Sequence, residues 1–124
     1  MITCTNCGRP YPESGLPYRC VECGGVFDYI EPLSLELPIN ISQTGIWRFR
    51  SSFGLPADLE PITLGEGNTP LIWGEGLGRR FAFKCEYLNP TGSFKDRGSA
   101  VIISWLKTRG IRSAIEDSSG NAGA

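Results

Sequence analysis

The residues best able to do chemistry fall into two groups, a set of paired cysteines and one lysine in a glycine-rich stretch. Cys4-Thr5-Asn6-Cys7-Gly8 and Cys20-Val21-Glu22-Cys23-Gly24 are two Cys-x-x-Cys-Gly knuckles with twelve residues between them. Two residues between thiolates let both sulfurs reach one ion at about 2.3 Å, and a second knuckle completes the tetrahedron that zinc prefers. With Cys4, Cys7, Cys20 and Cys23 all ligating, no position stays open for water, so the metal's expected role is structural. Two local disulfides or a rubredoxin-like iron centre would use the same cysteines. Cys85 stands among apolar residues and reads as a small buried hydrophobe rather than a nucleophile.

Lys95 lies within Asn89-Pro90-Thr91-Gly92-Ser93-Phe94-Lys95-Asp96-Arg97-Gly98, at the start of a helix. There the free backbone N–H groups make the local potential positive. That field disfavours an ammonium ion and favours the neutral amine, the form that condenses with an aldehyde. The same donors can face an anion. A lysine so placed is ordinarily just solvated, and position alone leaves both readings open. The chain has no histidine, so any metal ligand or general base must be another group.

Around these residues the pattern changes along the chain. Residues 1–30 are rich in Cys, Gly and Pro and read as a small metal-dependent module, since about thirty residues bury too little surface to fold alone. Residues 31–56 form a proline-bearing connector with a short helix from Trp47 to Phe53, ended by Gly54 and Pro56. Residues 57–124 begin as loop with a short strand near Leu71-Ile72-Trp73. Arg80 to Tyr87 alternates as a strand. Ser93 to Arg109 is the best helix, with Ser93 as cap, Asp96 in the favourable first turn and Gly110 as terminator. Phe94, Gly98, Val101, Ile102 and Trp105 share a face at helical spacing. Ser113 to Asp117 reads as a strand, and Ser118 onward as a second strand-to-helix turn. Strand, helix, strand, helix predicts an α/β fold with a parallel sheet. The chain stops where that second helix begins, so a truncated domain is the expectation.

Composition sets outer limits. The chain of 124 residues is 40% apolar and 20% charged, with a formal charge of −1. This suits a globular domain and offers no basic stripe for nucleic acid or an acidic membrane. No stretch approaches the roughly 20 apolar residues of a membrane span. The first residues lack a signal peptide's pattern, so a cytoplasmic location is expected.

The Lys95 segment resembles the cofactor-lysine motif of the fold type II pyridoxal-phosphate enzymes, in the form typical of threonine synthases. Leu64-Gly65-Glu66-Gly67-Asn68-Thr69-Pro70-Leu71 is similar to the signature upstream of that lysine, and Glu116-Asp117-Ser118-Ser119-Gly120-Asn121-Ala122-Gly123 to the loop after the next strand. Some members of the family also carry a four-cysteine amino-terminal extension. The resemblance implies an incomplete tryptophan synthase beta-like three-layer sandwich preceded by a small zinc-ribbon-like module. It implies that Lys95 binds pyridoxal 5'-phosphate as a Schiff base, that Asn121 meets the cofactor's 3′-hydroxyl, and that Ser119 and Gly120 hold the substrate carboxylate. Thr69 is a further expected substrate contact, while Asp96 and Arg97 support the helix start. The implied reaction converts O-phospho-L-homoserine and water to L-threonine and phosphate. Its partner is a small-molecule substrate, with a homodimer at full length left open. The cradle for the cofactor phosphate and the partner of its pyridine nitrogen lie further along family chains, so residues 1–124 alone are expected to be inactive. The rival readings are a cysteate synthase, a serine or threonine dehydratase, or a zinc-ribbon interaction module with a non-catalytic α/β part.

Overall fold

The computed structural model describes residues 1–123. Strand β1 (Ile2–Cys4) pairs antiparallel with β2 (Phe27–Tyr29), with Cys4 opposite Phe27. A 3-10 helix follows at Gly45–Phe53, then the hairpin of β3 (Leu71–Gly76) and β4 (Arg79–Lys84), a second 3-10 turn at Glu86–Leu88, and helix α1 (Asp96–Thr108).

The 3-10 helix begins two residues before the expected Trp47. Its start is fixed by Gly45, which turns with φ 56° against the 64–67 loop; a Cβ there would lie 1.9 Å from the Glu66 carbonyl oxygen. Only glycine tolerates that approach. Ile46 and Trp47 then enter the core with Leu59, against Phe53, Leu55, Ala100, Val101 and Trp105. This cluster joins the connector to α1.

Two expectations near α1 are revised. The helix spans Asp96–Thr108 rather than 93–109. Its first three expected residues instead form a turn, with Asp96 N–H donating to the Ser93 carbonyl at 3.3 Å. The buried face is also shifted. Ala100, Val101 and Trp105 pack inward, whereas Phe94 and Ile102 are about half exposed at 49% and 54%. Ser104 is fully buried at 0%. Its hydroxyl donates to the Ala100 carbonyl at 2.7 Å and accepts from Ile62 N–H at 2.8 Å. That bond stitches α1 to the segment leading into the 64–69 loop. At the far end, Ile111 N–H reaches the Leu106 carbonyl at 3.1 Å and Gly110 N–H the Lys107 carbonyl at 3.0 Å. With Gly110 at φ 74°, this is the expected glycine stop, a Schellman motif.

The hairpin is longer than its sequence suggests. Leu77 and Gly78 both take positive φ, 50° and 69°, as a tight turn between right-twisted strands requires. Strand β4 stops at Lys84, because Cys85 turns inward (4% exposed) and Glu86 is drawn into a partly buried ion pair with Arg97.

The predicted parallel sheet is not formed among the described residues: both two-stranded sheets are antiparallel. Residues 113–117 have no strand partner and Ile115 is 100% exposed. A strand exists only where a neighbour takes its N–H and C=O groups. Likewise residues 118–123 form a turn rather than a helix, with Gly123 N–H donating to the Gly120 carbonyl at 3.0 Å. The last residue of the 57–124 segment, Ala124, lies outside the described residues.

Candidate functional site

The four cysteines converge. Cys4 and Cys23 sulfurs lie 3.5 Å apart and Cys7 and Cys20 sulfurs 3.7 Å apart. All four sulfur atoms fall within 4.8 Å of one another. A tetrahedral ion with bonds of about 2.3 Å sets its sulfurs about 3.8 Å apart, whereas a disulfide needs about 2.0 Å. The cysteines are free, and the spacing suits one enclosed cation.

The two knuckles have the same backbone wiring. Gly8 N–H returns to the Cys4 carbonyl at 2.9 Å, and Gly24 N–H to the Cys20 carbonyl at 2.8 Å. Both glycines turn with positive φ, 73° and 70°, a conformation with no Cβ penalty for glycine. The thiols do not titrate alike. The Arg9 backbone draws the Cys7 thiol down, but hydrogen bonds with Cys23, Cys20 and Cys4, together with burial, push it up to about 12. Hydrogen bonds from the Asn6 side chain and the Gly25 backbone hold Cys23 down at about 6. Thiols this close titrate as a set, and a bound cation would displace their protons.

The second site is built at the amino end of α1. Lys95 occupies the N-cap position in αR conformation and is exposed. Its N–H donates to the Ser93 hydroxyl at 3.2 Å, and that hydroxyl donates to the Asn121 carbonyl at 2.7 Å. Ser93 is therefore not the helix cap the sequence suggested, since α1 starts at Asp96 with no side-chain cap; its hydroxyl instead braces the lysine turn and ties it to the 118–121 loop. Sequence reasoning missed that tie, since it spans 28 residues.

Lys95 and residues 116–122 line one cavity of about 470 Å³. The structure thus brings Lys95, Ser119, Gly120 and Asn121 together. Thr69 does not line that cavity. The Ser118 hydroxyl accepts from Gly120 N–H at 3.1 Å and Gly123 N–H at 2.8 Å. Among the described residues, the N–H groups of Ser119, Asn121 and Ala122 take no internal acceptor. Such a row of donors is suited to an anion. Glu116 and Asp117 line the same cavity and favour a cationic group beside it. An amino acid carries both charges.

Beneath this turn lies a polar network that the sequence did not disclose. Arg97 grips Glu86 in a fork, Nε to Oε2 and Nη2 to Oε1, each at 2.8 Å. The Thr69 hydroxyl donates to Glu86 Oε1 at 2.7 Å and accepts from Arg97 Nη2 at 3.1 Å. Asn89, 4% exposed, donates to Glu86 Oε2 at 3.1 Å and accepts from Gly67 N–H at 2.9 Å. The Arg97 hydrogen bonds, then that of Thr69, hold the Glu86 carboxyl at about 2 despite partial burial. Charge-assisted, forked bonds of this kind are the strong ones. Asp96 reaches back to Thr91, accepting from its N–H at 2.9 Å and from its hydroxyl. Glu66, 1% exposed, accepts from Trp47 Nε1 at 2.9 Å and Leu64 N–H at 2.9 Å. The 64–71 loop, the 89–92 turn and the connector are therefore fastened to one another and to the first turn of α1.

The primary amine, the cavity beside it and the donor row at 119–122 fit a carbonyl cofactor linked to Lys95. Residues 62–124 match the family model described as pyridoxal-phosphate dependent enzyme, and the chain belongs to that family. Membership implies a fold type II enzyme and pyridoxal phosphate as cofactor. The chain is 32% identical to a threonine synthase of Methanosarcina acetivorans over 99% of its own length and 32% of that protein's. A threonine synthase of Methanocaldococcus jannaschii is 32% identical over 98% of this chain and 32% of its own. One from Halalkalibacterium halodurans is 48% identical over 51% of this chain. The chain spans about a third of the length of the relatives it matches end to end. No solved structure matches it significantly. Among the described residues no helix is long and apolar enough to cross a membrane.

Proposed function

We propose that this chain is the amino-terminal part of a threonine synthase, a pyridoxal-phosphate-dependent lyase of amino-acid biosynthesis acting in the cytoplasm. In this reading the complete protein converts O-phospho-L-homoserine and water to L-threonine and phosphate. The observation that carries it is the meeting of Lys95 with Ser119, Gly120 and Asn121 around one cavity, in a chain whose relatives along its full length are threonine synthases.

Lys95 Nζ would hold the cofactor covalently, and Asn121 would bind its 3′-hydroxyl. When bound, the cofactor supplies an electron sink for the substrate's α-carbon. The Lys95 amine would accept and return protons at the substrate's α-carbon and its neighbour. The N–H groups at Ser119 and its successors orient the substrate carboxylate. Thr69 we assign to the frame beneath Lys95, because Glu86 and Arg97 already share its hydroxyl; a substrate contact there requires that pair to open. Residues 1–30 serve as a structural zinc module, 31–56 as connector and 57–124 as the start of a three-layer catalytic sandwich. The 113–117 segment would enter its sheet when further strands flank it.

Borohydride reduction of the complete protein with its cofactor, followed by peptide mapping, tests the assignment; label on any residue but Lys95 would overturn it. Phosphate release with threonine formation supports the synthase. Keto-acid formation supports a dehydratase, sulfite-dependent cysteate formation a cysteate synthase, and no cofactor uptake an interaction module.

A further inference from the structure

Helix α1 has the Lys95 site at one end and touches the four-cysteine module at the other. Lys95 caps its start and Arg109 its finish, about 21 Å away at 1.5 Å per residue. Arg109 does not simply face solvent. Its guanidinium lies 5.5 Å from the Tyr11 ring centroid and 5.2 Å from that of Trp105. One of its Nη atoms donates to the Pro12 carbonyl, while its Nε is buried without a partner. Tyr11 stacks edge-on against Phe27, centroids 4.8 Å apart, and Phe27 pairs across the sheet with Cys4. On the other side Trp105 packs against the Ile46, Trp47 and Leu59 core. A continuous set of contacts therefore runs from a cysteine of the metal set to the helix that carries Lys95.

We propose that Arg109 is a positioning residue that couples the four-cysteine site to the Lys95 site, so that a metal ion and the cofactor strengthen each other's binding. The inference rests on the reading of both sites given above. The module is too small to keep its shape unaided. When it loosens, Tyr11 and Pro12 leave Arg109, and a partly buried cation loses a ring face and its acceptor. The end of α1 is then free to shift against the core, and a rigid helix carries that freedom to its other end. Both ligands thereby favour the same assembled state, and thermodynamic linkage makes the effect reciprocal.

The test uses the complete protein, with zinc content measured by atomic absorption and pyridoxal-phosphate affinity by absorbance titration, before and after chelation. Stripping the metal is expected to weaken cofactor binding about tenfold, within the usual range of coupling between sites. Bound cofactor is expected to slow chelation of the metal. In Arg109→Ala each ligand still binds but the ratio of affinities with and without metal falls toward one, and Arg109→Lys restores part of it. If Arg109→Ala fails to fold, Tyr11→Leu, which keeps apolar contact and removes the ring face, is read the same way. A variant that melts earlier yet keeps the full ratio would overturn the positioning role. Two ligands that bind independently in the wild type would overturn the coupling, whereas a protein that takes cofactor but never metal would refute the zinc module as well.

Discussion

The four-cysteine module and the Lys95 region differ in how finished they are. In the module every cysteine sulfur sits within 4.8 Å of the others, and two matching knuckles with their own hydrogen bonds hold them there. At Lys95 the key residues share a cavity, but the segment that delivers Ser119, Gly120 and Asn121 is an unpaired stretch with Ile115 fully exposed. The difference is one of range. A metal set is assembled from short loops whose geometry is local, whereas a site at strand ends depends on a sheet whose neighbours come from elsewhere in the chain.

The largest effect should come from Lys95→Ala in the complete protein. Turnover is expected to fall by at least about 10²–10⁴-fold, with no borohydride-trapped cofactor, while zinc content stays unchanged. Equal loss of metal would erase the contrast between the regions. Next, Cys20→Ser should remove one sulfur of the proposed zinc set, at a residue only 3% exposed. Structural zinc contributes an apparent 10–16 kcal/mol or about that in small modules, so the variant should lose its metal and expose residues 1–30 to rapid hydrogen exchange. Protection of α1 should fall far less. A Leu59→Ala variant strikes the core between connector and helix, where Leu59 is 2% exposed. It is expected to lower stability by about 2–5 kcal/mol in denaturant unfolding without altering metal affinity.

The smallest effect concerns acid. Glu86 is held at about 2, against an ordinary 4.5, by its hydrogen bonds to Arg97 first and Thr69 second. A carboxyl depressed on folding stabilises above its unfolded value and loses that contribution as pH falls through the folded one. Between about 4.5 and about 2 the wild type should therefore lose stability that Glu86→Gln never had. Parallel pH profiles for the two proteins, measured by urea midpoints, would show that the network does not fasten the loop to α1.

Much of the chemistry was legible in residue spacing. The cysteine set, Lys95 at a helix start and the glycine stop at residue 110 all follow from rules acting over a few residues. The network beneath Lys95 was not. Thr69, Glu86, Asn89 and Arg97 meet across 28 residues of chain at the widest, and nothing in periodicity marks Glu86 as anything but a polar residue at a strand end. Ser104 shows the same limit. On an amphipathic helix it reads as a minor residue, yet it is wholly buried because the Ile62 backbone needs its hydroxyl.

What the sequence determined by itself is the set of reactive groups and the turns that present them, because thiol spacing, capping and glycine torsions depend on near neighbours. What only the tertiary structure decided is which polar groups are buried together, which face of α1 is covered, and that Arg109 is clamped against Tyr11 and Trp105. Those outcomes depend on segments distant in the chain competing for the same space and the same hydrogen bonds.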